Sequence, residues 1–278
     1  GVYPGERVQF VHDLRQSFES VGMGWEYWSF NEYFTLLDPA VRKAYAHASL
    51  NIVDRKLVDA LGLDTLRLNS SIYTNDNLLA WCIVPFDSKK RTPEERAKML
   101  RSLGITKLAY DWRAEHIPHF DEELEVLKKY NIELTGFWIP VSRDPAHDPT
   151  LQLIFDLLKR HKMKTQLWCL VGEDPKLDSM TQQQKIAYTA EPVAYIANEA
   201  KKIGCTVGLY NHGGWFGGPE NQLAIIDYLK MPNVGMVYNF HHAETQIERF
   251  PTFFPKILPH LLALNIAGLK RNPGRVVP

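Results

Sequence analysis

From Cys205 to His242 the chain reads as strand, glycine-rich loop, helix and strand in immediate succession, CTVGLYNHGGWFGGPENQLAIIDYLKMPNVGMVYNFHH. Val207 to Tyr210 is a short apolar run that stops at Asn211-His212-Gly213-Gly214. Pro219 then opens a helix at a position where its missing N–H costs nothing, and Leu223, Ile226 and Leu229 recur at helical spacing. Val234 to Tyr238 is the next strand, and it stops at Asn239, His241 and His242. Strands joined through a helix run parallel, so both Asn/His clusters fall at the same end of one sheet. In a (β/α)8 barrel that end carries the active site.

The same alternation extends through most of the chain. Strands are expected at Leu79–Val84, Lys107–Trp112, Glu133–Ile139, Thr165–Val171, Thr206–Asn211, Val234–Phe240 and Leu261–Ala267. Helices are expected near Pro93–Leu103, Asp121–Tyr130, Pro149–His161, Gln182–Ile203, Pro219–Leu229 and Gln246–Leu258. Thr92-Pro93-Glu94-Glu95 is a strong helix start, with Thr as cap and Pro in the first turn. Ahead of this, residues 6–21 place Val8, Val11, Leu14, Phe18 and Val21 on one helical face. Met23 to Phe30 forms an aromatic-rich strand, a second helix runs from about Val41 to Leu61, and Asn69–Asn77 is a polar connector. An open seven-stranded barrel would leave two buried edges unpaired. The N-terminal strand supplies the missing one, pairing between the last strand and the Leu79 strand. The expected fold is therefore α/β, a (β/α)8 TIM barrel closed in the permuted order eight, then one to seven. It forms a single domain over 1–278, with 1–65 giving one βα segment and 66–278 seven units.

Charge and composition exclude several classes. Lys+Arg and Asp+Glu both number 32, so no net field attracts nucleic acid or an acidic membrane. No apolar run approaches the ~20 residues that span a bilayer. The opening GVYPGERVQF is not a signal peptide. Cys82, Cys169 and Cys205 lie in or beside apolar strands and are expected as buried free thiols of a reducing, cytoplasmic protein. Their spacing does not suggest zinc. Barrels often pair through their outer helices, which leaves a homo-oligomer open.

The N-terminal string GVYPGERVQFVHDLRQSFESVGMGWEYWSFNEYFTLLDP resembles the end of a glycoside hydrolase family 5 (cellulase-type) barrel. It corresponds to that family's last helix before strand eight, strand eight itself, and the helix after it. The resemblance implies that Trp28 forms part of a sugar-binding floor. The family's two catalytic glutamates precede the matched segment, and Asn31-Glu32 follows the wrong strand to stand in for them.

Further on, AWCIVPFDSKKRTPEERAKML, LAYDWRAEHIP, GLYNHGGWFGGPENQ and VYNFHHAE resemble the xylose-isomerase-like barrels, in a subgroup of sugar phosphate isomerases and epimerases. The resemblance covers residues ~77–270. It implies a divalent metal, Mn, Zn or Mg, held by a Glu, an Asp, a His and a second Glu at successive strand ends. In this chain the first three positions carry Tyr210 in Tyr210-Asn211-His212, Asn239 in Asn239-Phe240-His241-His242, and Asn265. The fourth belongs to a strand the chain does not carry in family form. Without anionic ligands a hard cation binds weakly, and His241 is the metal candidate that remains.

The candidate catalytic groups are His212, His242 and Glu173. The two histidines suit proton transfer or softer-metal ligation, or else brace the barrel mouth as hydrogen-bonded core residues. Glu173, in Val-Gly-Glu-Asp-Pro, is either an acid/base group or an exposed loop acid. Asp111, Arg113, Asn211, Asn239 and Asn265 are candidate substrate contacts. Arg113 can hold a phosphate or carboxylate bidentately, or pair with Asp111 or Glu115. Trp28, Trp138 and Trp215 are flat enough for sugar stacking, and equally suited to packing. Three functions follow from these residues. One is sugar isomerase- or epimerase-type proton transfer on a small carbohydrate. Another is β-glucan or β-glucoside hydrolysis, using Glu173 with Asp111 or Glu32 at a carboxylate separation of about 5–5.5 Å for retention or 6.5–9.5 Å for inversion. The last is a chimeric barrel that binds sugar or oligosaccharide without turnover.

Overall fold

The computed structural model describes residues 4–20, 77–243, 245–266, 270–272 and 275–277. The helices are α1 (Pro4–Glu19), α2 (Pro93–Ser102), α3 (Phe120–Lys129), α4 (Pro149–Arg160), α5 (Gln182–Lys202), α6 (Pro219–Leu229) and α7 (Phe250–Ile257). The strands are β1 (Lys107–Tyr110), β2 (Glu133–Pro140), β3 (Gln166–Leu170), β4 (Thr206–Tyr210), β5 (Val234–Asn239) and β6 (Leu261–Asn265). These six lie in one sheet in chain order, and β1 to β5 pair parallel throughout. Two further strands, β7 (Lys270–Asn272) and β8 (Arg275–Val277), form a separate antiparallel ribbon. The sequence pattern expected no strand there. Residues 21–76, which carry Trp28 and the strand expected to close the barrel, lie outside the described residues.

Local chemistry sets the element boundaries. Thr92 and Thr181 each close a capping box, with Glu95 and Gln184 reaching back to the cap N–H. Asp148 accepts from the N–H groups of Thr150 and Leu151 at the start of α4. The strand expected at Leu79–Val84 is corrected by the structure. Only Ala80 pairs, in an isolated parallel bridge to Leu108. Cys82 takes a left-handed backbone with φ 55°, which an extended ladder cannot accommodate, and the chain turns away. At the other end, α7 is shorter than the periodicity suggests. Single 3-10 turns, Ile247–Arg249 and Leu258–His260, flank it on either side.

The parallel strands are covered on both faces, which is why they are apolar throughout. Phe137 on β2 meets Phe120 of α3, and Tyr238 on β5 meets Phe250 and Phe253 of α7. On the opposite face Trp138, Trp168, Tyr210 and Val237 gather with Trp81 and Ala109 in one buried cluster. Large rings fit there because a neighbouring residue yields its space. A Cβ on Gly136 would sit 2.6 Å from Trp168 Cε2, so the indole occupies the volume of that missing side chain.

The chain divides into two compact units, Leu79–Tyr238 with Gln246–Ala263, and Gly1–Leu78 with Asn239–Thr245 and Leu264–Pro278. In the second unit Val11, Leu14 and Phe18 form the buried stripe of α1 expected from their spacing. In the first, a cavity of about 600 Å³ opens where β4, β5 and β6 begin, lined in part by Thr206, Val234, Asn233 and His260. It lies at the opposite end of β4 from Asn211 and His212. Among the described residues no helix is long and apolar enough to cross a membrane.

Candidate functional site

The C-terminal end of β1 continues into Asp111-Trp112-Arg113. Asp111 is buried, and the Arg113 Nη1 donates to its Oδ1 at 2.6 Å and to the Trp112 carbonyl at 2.8 Å. The ion pair that the sequence left open is therefore made with Asp111. Phe86, from the turn after Trp81, lies under the guanidinium with its ring centroid 5.7 Å from Cζ. The Cys82 thiol lies near Asp111. Burial first, and then the Asp111 charge, push that thiol far above the ordinary value of 9.0. It stays protonated and is no nucleophile.

Two loops meet at the ends of β3 and β4. Gly213 and Gly214 both take positive φ, 72° and 60°, turning the chain sharply after His212. The exposed Glu173 folds against that turn. A Cβ on Gly214 would lie 3.3 Å from Glu173 Cγ and 3.6 Å from its Oε1. The Glu173 loop is itself anchored. Asp174 accepts from the Tyr188 hydroxyl at 2.7 Å and from the Lys176 N–H, which together hold its carboxyl below the usual range. Arg143 stacks over the Tyr188 ring at 3.7 Å. On the β4 side the Trp215 indole donates to Gln182 at 3.0 Å. Gln182 donates to Asn221, and Asn221 to the Trp215 carbonyl. This closed circuit fixes the orientation of the half-buried Trp215. His212, also exposed, stacks on Tyr210 with ring centroids 6.0 Å apart.

The other candidates fall elsewhere. Trp138 is a correction: at 4% exposure, edge-on to Trp81 and Trp168, it is core and offers no open stacking face. Asn211 is fully buried at the end of β4. Asn239, His241, His242 and Asn265 belong to the smaller unit. There the Asn239 side chain caps a 3-10 turn by accepting from the His241 N–H, and the two imidazoles meet edge to face at 5.1 Å. Sequence reasoning missed Phe86, Cys82, Gln182 and Tyr188, which reach the rim through tertiary contacts that carry no local pattern.

No family model and no curated relative matches this chain. Solved structures do. The probable 3-DHS dehydratase of petrobactin synthesis from Bacillus anthracis matches at 13% identity and a TM-score of 0.53. That match covers 70% of this chain and 74% of the other. A D-psicose 3-epimerase crystallised with D-fructose gives 13%, 0.52, 70% and 76% in the same terms. A xylose isomerase-like TIM barrel protein from Mycobacterium smegmatis in complex with magnesium gives 14%, 0.44, 68% and 72%. The likeness is one of fold.

The metal implied by the family resemblance can be tested against the donors present. Each of the three positions carries a neutral group. Tyr210 is 3% exposed and lies among Trp81, Trp138 and Trp168, and the other two are amides. Among the described residues no three His, Cys, Asp or Glu side chains are grouped as a metal centre requires. This donor set does not fit a hard divalent cation, which needs anionic oxygens.

Proposed function

We propose that the chain transfers a proton on a small sugar or sugar derivative, in the manner of an isomerase or epimerase, at the rim formed by the β3 and β4 loops. The observation that carries this is the seating of Glu173 against Gly214, two residues from the exposed His212. A carboxylate and an imidazole delivered to one glycine turn make an acid/base pair at strand ends where barrels bind substrate. The fold likeness to an epimerase and a dehydratase supports the choice of reaction class.

In this scheme Glu173 takes the proton from the carbon next to the substrate carbonyl. The C–H electron pair moves into the new C=C bond, and His212 supplies a proton to the carbonyl oxygen. Glu173 then returns its proton to the former carbonyl carbon while the hydroxyl on the first carbon gives its proton back to His212, so that the carbonyl re-forms there and the sugar is isomerised. Trp215, fixed by Gln182 and Asn221, forms the flat wall beside the ring. No step runs through a metal, because the donors at the expected positions do not suit one. Hydrolysis has less support, since Asp111 is already engaged by Arg113.

The experiment is deuterium incorporation from D2O into simple aldoses, ketoses and their acidic derivatives, followed by proton NMR. Glu173→Gln and His212→Ala should each slow exchange by about 10²–10⁴-fold, the usual worth of a positioned acid or base. Absence of exchange by the parent protein, or exchange indifferent to both substitutions, would sink the proposal.

A further inference from the structure

We propose that Arg113, just past the C-terminal end of β1, is an anion anchor at the same strand ends as the Glu173 and His212 loops, so that the substrate carries an oxyanion, either a carboxylate or a phosphate. A guanidinium has two edges with donors. Here Nη1 is taken up by Asp111 Oδ1 and the Trp112 carbonyl. Among the described residues Nε and Nη2 have no protein acceptor, and the side chain is 45% exposed. Those two nitrogens form the side-on edge that matches two oxygens of a carboxylate or phosphate. The pairing and recognition roles open to Arg113 are therefore compatible, because they use different edges.

The surroundings point the same way. Asp111 is buried, so the carboxylate that holds Nη1 is itself fixed. Phe86 supports one face of the guanidinium, although its own ring is 71% exposed, an unusual placement for a large apolar side chain. A ring left in water beneath a cation is accounted for if it also holds that cation flat for a ligand. Restrained on one edge and one face, Arg113 loses little further rotamer freedom when an anion arrives. The Cys82 thiol, held protonated by burial, places no second negative charge near the anchor. Asp111 tempers the local positive charge, so the expected affinity for a simple anion is modest.

The proposal rests on the proton-transfer reading only in taking the C-terminal strand ends as the substrate site. The test is titration of the full chain with inorganic phosphate, followed by 31P NMR line broadening, and separately with acetate, followed by calorimetry. Saturable binding in the range of about 1–10 mM is expected for at least one of them, and the two arms tell phosphate from carboxylate. Arg113→Gln should weaken it at least about tenfold, a loss equivalent to one strong hydrogen-bonded contact. Arg113→Lys, which keeps the charge and the Asp111 pair but has no second edge, should lose most of the same affinity. It serves as the readout if the Gln variant fails to fold. Binding unchanged in the Lys variant, or no saturable binding of either anion, overturns the anchor. Anion binding that depends on Arg113, without deuterium exchange on any sugar, keeps the anchor and removes the isomerase proposal. Exchange that is equal on neutral and acidic sugars, without anion binding, does the reverse.

Discussion

Tyr210 lies almost parallel to Trp168, with ring centroids 6.3 Å apart and planes 8° from one another. The position where the resemblance expects a metal-binding glutamate is thus part of an aromatic interior that also includes Trp81 and Trp138. Tyr210→Glu should not recreate a metal site, because it puts a carboxylate among the indoles of Trp81, Trp138 and Trp168. Burial raises the pKa of such a group in the folded state. The cost is then small below the unfolded carboxyl value of about 4.3 and grows as pH rises above it. At neutral pH the variant should lose about 3–5 kcal/mol, the scale of an uncompensated buried charge. Urea denaturation at acidic and neutral pH checks this, and an equal loss at both would contradict the packing described.

Gly214 couples backbone geometry to the proposed chemistry. At φ 60° an alanine is strained by about 1–2 kcal/mol, and its Cβ would press on Glu173 at 3.3 Å. Gly214→Ala should therefore slow deuterium exchange nearly as much as Glu173→Gln, while lowering stability only by that strain. A Gly214→Ala variant with full exchange would show that the position of Glu173 does not matter to turnover.

Arg96 of α2 and Glu123 of α3 form a buried ion pair, Nη2 to Oε2 at 2.5 Å, and Arg96 Nη1 also reaches the Arg91 carbonyl. Removing one partner strands the other charge, so Arg96→Met should cost about 3–5 kcal/mol. The double variant Arg96→Met, Glu123→Leu should recover most of that, because burying two apolar groups avoids both desolvation penalties. Chemical denaturation of Arg96→Met, Glu123→Leu and the double variant gives the coupling directly, and additive losses would mean that the pair is not coupled.

Much of this was legible where the residues state their roles locally. Pro93, Pro149, Thr181 and Pro219 mark helix starts, and the observed elements from Pro93 to Leu229 begin and end within two residues of the expected ones. The run Leu79–Val84 reads as a strand by composition, yet the left-handed backbone of Cys82 ends the pairing, and nothing in a cysteine side chain announces that. The ribbon of β7 and β8 had a signal in the Pro273-Gly274 dipeptide, a turn marker between two short runs. At the site, Asp111 and Arg113 are two residues apart, so their pairing is a local matter. Trp138 and Trp215 look alike in sequence, being aromatics at strand ends. They diverge because Trp138 shares the interior face with Gly136, whose missing side chain leaves room for Trp168 beside it, whereas Trp215 lies beyond the strand.

Glu94 joins α2 to the end of α3. Its carboxylate accepts from the Tyr130 hydroxyl and from Lys129 Nζ, with Lys98 nearby on its own helix. The Tyr130 hydrogen bond, more than the lysines, brings its pKa from 4.5 down to about 2. A carboxyl depressed in the folded state contributes stability that is complete above its unfolded value and is lost as pH falls through its folded one. That window runs here from 4.5 down to about 2. Glu94→Gln keeps the shape of the side chain but cannot titrate. The gap in urea midpoint between parent and variant should stay constant above pH 4.5 and close as the pH is lowered to about 2. Asp121 is depressed as well, chiefly through its hydrogen bond from Arg160, but it is present in both proteins and cancels from the difference. A gap that persisted unchanged across the acid range would show that Tyr130 does not hold the ionised form.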